Sequence, residues 1–394
     1  MIRAILGGWE THRLAGGSRG MRSPRWLALI LLLAASALPA LAQERKLAPG
    51  KQAQIEAAIS KFMAAGSAPG ISAAVVENGE YVWSAGFGMA DLENFVPATS
   101  VTLYRLGSIS KPLTAAAAME LWEQGKLDLD APVQKYCSAF PQKEAPITTR
   151  ELLGHLGGIR HYKPDPKEDL EGGNTTHFDN GIEAGLKFFE NDPLVAQPGT
   201  HFHYSTQGYT LVGCAIEGAS GEKYADYVRE NVLARAGMVR TQPDDRFAIT
   251  TYRTRFYSKD KSGAVVNADF LDSSYKVPGG GWLSSAEDMA RFEAAMLNDK
   301  LVKRRTRDIM WTPQKPSDGS KDDYALGWGI RSTSGVMRVG HSGAQQGCST
   351  SIILAPDKGA GVVVLINMDD VDATELATEL LRIVLGLPAE APAK

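Results

Sequence analysis

Four stretches of this 394-residue chain place a serine three positions ahead of a lysine: Ser108–Lys111, Ser220–Lys223, Ser258–Lys261 and Ser273–Lys276. Context separates them. Ser220 follows Gly218-Ala219 and fits an ordinary helix N-cap, and Ser258 and Ser273 lie in polar loops. Ser108 opens a long apolar stretch of helical periodicity, where positions i and i+3 share a face and bring hydroxyl and amine within reach. A serine hydroxyl is a poor nucleophile at neutral pH and needs an adjacent base. Lysine can be that base only where burial and nearby positive charge lower its pKa. Two later segments add groups of the right kind. His203-Tyr204-Ser205-Thr206 leads into a helix, and Gly340-His341-Ser342-Gly343 ends a β-branched run.

These groups need a scaffold. A helix is expected over residues 50–65, with Ile55, Ile59, Phe62 and Met63 on one face. Ile71 to Val76, the type I′ pair Asn78-Gly79 and Tyr81 to Ala85 read as a hairpin. Val101 to Leu106 is extended and runs into the nucleophile helix, residues 108–124. The middle, about 126–276, is loop-rich with short helices near 149–153, 182–189, 206–218 and 224–234. Ser284-x-x-Glu287 reads as a capping box opening a helix to Asn298. Strands return at 336–340, 350–355 and 361–366, and 373–385 closes as an amphipathic helix. The fold class is therefore α/β in the α+β sense: one antiparallel sheet, made by the two ends of the chain and flanked by the N- and C-terminal helices, with a mostly helical domain inserted. The expected division is 43–107 plus 277–390 for the sheet domain and 108–276 for the helical domain.

Composition is that of a globular protein, with 44% hydrophobic and 22% charged residues and a net charge of −3. The first 42 residues carry five arginines and one glutamate, so the remaining body is near −7 and repels nucleic acid. That leader contains a cationic stretch, Met21 to Arg25, a ten-residue apolar run, Trp26 to Ala35, and a small-x-small site at Ala40-Leu41-Ala42. Residues 1–42 thus read as an upstream extension plus a signal peptide. The expected location is exported, periplasmic or extracellular, with no stable membrane span after cleavage. Cys137, Cys214 and Cys348 allow at most one internal disulfide, and Cys214, in an apolar helical stretch, reads as a small core residue. His201-Phe-His203 fails as part of a dinuclear zinc pattern because Ser205 occupies the aspartate position. Neither metal nor cofactor is expected.

In their order, Ser108-x-x-Lys111, Tyr204-x-Thr206 and His341-x-Gly343 resemble the three motifs of the serine β-lactamase and penicillin-binding protein superfamily, in its class C, D-Ala-D-Ala carboxypeptidase and esterase branch. Supporting phrases are Glu151-Leu-Leu-Gly-His-Leu-Gly-Gly-Ile159, Gln197-Pro-Gly-Thr-His-Phe-His-Tyr204, the run from Gly281 to Arg291 and Tyr324-Ala-Leu-Gly-Trp328. The resemblance covers about residues 50–385, and the Tyr204 to Tyr209 wording is most similar to a filament-forming mitochondrial branch. It implies a β-lactamase/transpeptidase-like fold in which Ser108 attacks a carbonyl, Lys111 takes its proton and Tyr204 protonates the leaving group. It also implies an oxyanion hole made by the N–H groups of Ser108 and Ala344, and substrate contacts from Thr206 and Gly343, with His341 as a further catalytic-site residue. The implied substrate is a small ester, amide or peptide.

Two departures bear on specificity. Thr206 stands where lactamase-like members have Asn and lacks an amide donor. His341 replaces the common Lys, so a fixed charge becomes one largely neutral at pH 7. Weak or absent β-lactamase activity is therefore expected. The competing expectation is a non-catalytic or filament-forming binding protein that keeps the fold, and a homo-oligomer stays open under both.

Overall fold

A computed structural model describes residues 46–388 except 67, 164–173, 180 and 334. The expected extension and signal peptide lie outside the described residues. Among the described residues no helix is long and apolar enough to cross a membrane.

Helix α1, Pro49–Gly66, buries Ile55 and Ile59. It leads to the hairpin of β1, Gly70–Glu77, and β2, Glu80–Asp91. The turn between them uses Asn78 and Gly79 with φ of 54° and 74°, the pair of left-handed residues a type I′ turn requires. The far end of the chain supplies β9, Gly329–Thr333, β10, Val336–Gln345, β11, Cys348–Ala355, and β12, Ala360–Ile366. With the short β3, Val96–Pro97, these make one seven-stranded sheet in the order β3-β2-β1-β12-β11-β10-β9. Every pairing is antiparallel, and first and last strands meet at its centre with Ile71 opposite Ile366.

Both faces of the sheet are covered, so its central strands are apolar on both faces instead of alternating with polar residues. Ala73, Val75, Val362, Val364 and Ile366 pack with Ile55 and Ile59 and with Leu376, Leu380 and Leu381 of the C-terminal helix, Ala373–Val384. Ala74, Val76, Val363 and Leu365 face the other way, into the larger core shared with Met289 and Phe292. That second core also holds α2, Ser110–Glu123, in which every residue from Ser110 to Leu121 is buried.

Several expectations need correcting. The helix Ala286–Leu297 is capped by Ser285, whose hydroxyl accepts from the Asp288 N–H, while Ser284 belongs to a strand and Glu287 pairs with Arg291. Ser220 does not start a helix: it ends α4, Thr206–Ser220, before Gly221 turns left-handed. Ser258 sits in β6, Tyr257–Lys259, which forms a small hairpin with β7, Val265–Asn267. Ser273 and Lys276 are buried, at 0% and 3% exposure, not in a polar loop. A second small sheet joins β4, Tyr104–Arg105, β8, Trp282–Ser284, and β5, Gln242–Pro243. Cys214 is more than a small core residue, for it forms a disulfide with Cys137 that ties α4 to the loop beyond residues 133–135. Cys348 is free and buried.

Candidate active site

Ser108 lies in a single 3₁₀ turn, Gly107–Ile109, at the mouth of α2. It does not cap the helix. Ile109 holds the cap position without a side-chain bond, which leaves the Ser108 hydroxyl to other partners. Lys111, one turn on, is wholly buried. Its Nζ donates to the Gly279 carbonyl at 2.8 Å and lies within hydrogen-bond distance of two hydroxyls, Ser108 Oγ at 3.1 Å and Thr206 Oγ1 at 3.2 Å. Burial, with the positive charge of Lys276 second, holds the Lys111 amine well below the usual lysine range. Gly279 closes this side because a Cβ there would stand 2.6 Å from the Thr206 methyl.

Tyr204 is half-buried and hydrogen-bonds Ser108, and burial pushes its phenol above the usual range, so it stays protonated. Lys111 Nζ stands 4.8 Å from the centre of its ring. Two imidazoles hold the segment in place. Nδ1 of His155 accepts from the Ser205 N–H and Nδ1 of His161 from the Thr206 N–H, each at 3.2 Å. These bonds satisfy donors that the start of α4 leaves free, and the Ser205 hydroxyl takes the Gly208 N–H. The His155 and Tyr204 rings lie 4.3 Å apart between centroids. His155 has a left-handed backbone, φ 58°, so it holds a turn and also packs the phenol.

The third motif arrives on β10. Gly343 presses against the nucleophile turn: a Cβ at this position would lie 2.2 Å from the Leu106 carbonyl, 2.4 Å from Thr350 Oγ1 and 3.0 Å from the Ser108 nitrogen. Gly107 answers from the other side with φ 53° and only 3.0 Å from its own imagined Cβ to the Ala344 nitrogen. Two glycines thus let the backbones carrying the Ser108 and Ala344 nitrogens close on each other, as an oxyanion cradle requires. Gly343→Ala should force the strands apart and lower kcat for ester hydrolysis about 10²–10³-fold, the cost of one lost oxyanion donor. Steady-state kinetics read this directly, and an unchanged kcat would refute the cradle.

His341 departs furthest from a motif lysine. Its Nε2 meets the Tyr324 hydroxyl at 2.9 Å and its Nδ1 the Ser342 carbonyl at 2.6 Å. Burial, then Lys111, holds it down to about 3, so the ring is neutral, with Nδ1–H donating to Ser342 and Nε2 accepting from Tyr324. Both nitrogens are spent, and the imidazole offers a substrate no charge.

The cleft above Ser108 has a cavity volume of about 180 Å³ and opens to solvent, which leaves room for a small molecule only. Ser108, Thr206 and Ala344 line it, together with His161, Tyr162, Asn174, Lys276, Gly279, Gly280, Gln345 and Gln346. Lys111 and Tyr204 reach it through Ser108. Sequence reasoning missed Lys276, Tyr162 and Asn174. The local signal for Lys276 was a single lysine set between Tyr275 and the Val277-Pro278-Gly279-Gly280-Gly281 run.

With this geometry in view, the comparisons with known proteins agree. The Beta-lactamase family model matches residues 55–385. The human mitochondrial serine beta-lactamase-like protein LACTB is 33% identical, over 79% of this chain and 76% of its own. The octameric penicillin-binding protein homologue from Pyrococcus abyssi superposes with a TM-score of 0.74 at 30% identity, covering 85% of this chain and 78% of that one. A D-stereospecific amidohydrolase from Streptomyces superposes at 0.68 with 25% identity, over 84% of this chain and 97% of that one.

Proposed function

The chain belongs to the beta-lactamase family of serine hydrolases, and from that premise we propose that it is an exported enzyme cleaving a small ester or amide through an acyl-enzyme on Ser108. The observation that carries the reading is the buried Lys111 amine, 3.1 Å from the Ser108 hydroxyl and held by burial well below the usual lysine range. An ammonium could not accept a proton; an amine can.

In the acylation step Ser108 Oγ bonds to the substrate carbonyl carbon and its proton passes to Lys111 Nζ. The resulting oxyanion is met by the Ser108 and Ala344 N–H groups. As the bond to the leaving group breaks, Tyr204 gives its phenolic proton to that group and regains one from the Lys111 ammonium. Deacylation reverses the roles: water attacks the acyl carbon, its proton is taken up through Tyr204 and Lys111, and Ser108 Oγ leaves as a hydroxyl.

β-Lactams are poor candidates. Thr206 has no amide N–H to offer, and His341 is neutral with both nitrogens occupied. A chromogenic cephalosporin should turn over far below the 10–10³ s⁻¹ of a good enzyme, if at all. The decisive experiment treats the chain with a fluorophosphonate. A mass increase on Ser108, absent in Ser108→Ala, is expected. Beside it, a panel of nitrophenyl esters, D-Ala-D-Ala peptides, L-peptides and β-lactams ranks the substrates. No label and no turnover would favour the non-catalytic, filament-forming alternative.

The Cys137–Cys214 bond supports export, since disulfides persist in oxidising compartments. The octameric relative supports a homo-oligomer as part of the same reading.

A further inference from the structure

The cleft carries one cationic side chain that the acyl-transfer steps leave unused. Lys276 ends the short 3₁₀ turn Ser274–Lys276 and is only 3% exposed, yet it lines the cleft with Ser108. Aromatic rings flank its ammonium, with Tyr162 and Tyr275 at 5.3 and 5.4 Å between Nζ and ring centroid. Asp244 acts on it from nearby but is engaged by Arg105 at 2.9 Å and Arg253 at 3.1 Å. Among the described residues that line the cleft there is no carboxylate at all. A buried ammonium with no acid in its cleft is costly unless an anion arrives to meet it.

The rest of the site sharpens this. Burial holds the Lys111 amine low and keeps His161 at about 4 and His341 at about 3. Lys276 is lowered only to about 8, so at neutral pH it remains mostly charged. The other cleft-lining side chains are amides, hydroxyls and a phenol: Asn174, Gln345, Gln346, Thr206 and Tyr162. The cleft therefore presents a single positive charge among neutral hydrogen-bonding groups.

We propose that Lys276 is the specificity-determining residue of this site and that the substrate carries a carboxylate, within a few bonds of the scissile carbonyl, which pairs with its ammonium. The inference rests on the acyl-enzyme reading and adds the substrate class: a monoanionic ester or amide of small size. The charge stands not at the His341 position of β10 but on the residue just before the short turn Val277–Gly280.

The test uses two matched ester pairs. One puts the carboxylate on the acyl part, 4-nitrophenyl hemiadipate against 4-nitrophenyl hexanoate. The other puts it on the leaving group, 3-carboxyphenyl acetate against phenyl acetate. In the wild-type chain at least one pair should show a kcat/KM ratio of about tenfold or more for the anionic member, worth about 1.4 kcal/mol. The preference should sit in KM and shrink with added salt. Lys276→Gln should bring the ratio close to one and Lys276→Arg should keep most of it. Two results overturn the proposal: neutral members preferred in both pairs by wild type, or an anionic preference that survives Lys276→Gln. If the glutamine variant does not fold, the wild-type ratio and its salt dependence still decide. Fluorophosphonate labelling of Ser108 separates the levels. Label with no anionic preference removes this inference alone, whereas neither label nor turnover of any ester removes the acyl-enzyme reading with it.

Discussion

Lys111→Arg should lower kcat for ester hydrolysis by about 10²–10⁴-fold, the range for loss of a positioned general base. Arginine keeps the volume and the hydrogen-bonding reach but cannot lose its proton at any working pH. In the native site the amine is surrounded by Ser108 Oγ, Thr206 Oγ1 and the Gly279 carbonyl, with no carboxylate bonded to it among the described residues. Burial therefore favours the neutral form, and the charge of Lys276 favours it further. The sign for pH follows. A lysine held well below the usual lysine range is a free amine down to lower pH than an ordinary one, so activity should be reached at lower pH and decline as acid protonates the amine. An ordinary lysine would give a rate that climbs toward pH 10.5. A pH–rate profile still rising steeply between pH 8 and 10, or an active Lys111→Arg, would contradict the assignment. Because Ser108 and Lys111 act as one unit, Ser108→Ala/Lys111→Met should be no slower than Ser108→Ala alone.

Removing the disulfide should have the largest effect on stability. Cys137 and Cys214 are 77 residues apart in sequence, and closing a loop of that length constrains the unfolded chain by about 4.5 kcal/mol in the chain-entropy account. That is a large part of the margin of an ordinary domain. Cys137→Ala/Cys214→Ala should shift the urea midpoint down markedly, and a reducing agent should do the same to the wild-type chain alone. Activity at low temperature should survive better than stability, because the bond anchors the middle of α4 and not its Thr206 end. Equal midpoints for wild type and variant would show that the bond is inert.

The sequence told more about the nucleophile than about its surroundings, for a physical reason. Ser108 and Lys111 are one turn apart, so their contact is local and spacing alone predicts it. Tyr204 and His341 were found through motif order, which does not disclose that the His341 ring is locked neutral between Tyr324 and Ser342. Lys276 escaped because its burial is tertiary: nothing in Ser273–Lys276 reveals that Tyr162 and the Ser108 turn will close over it. The cysteine pairing escaped likewise, since an apolar helix face looks the same whether or not a partner cysteine meets it. The hairpin of β1 and β2 was legible from Asn78-Gly79 and the apolar, partly β-branched run that precedes it. Strand β9, Gly-Ile-Arg-Ser-Thr, is too short and mixed to announce itself, and exists because β10 offers it an edge. The cap before Ala286 slipped by one residue because Ser284 and Ser285 are chemically equal candidates until β8 claims the first.

The central pairing of β1 with β12 has a consequence for biogenesis. Ile71 and Ile366 become neighbours although nearly 300 residues separate them along the chain. High contact order of this kind slows folding, since a long loop must close before its reward is collected. During synthesis β1 waits with an open edge until almost the whole polypeptide has been made. A nascent chain kept unfolded that long is exposed to aggregation should a chaperone fail to shield that edge.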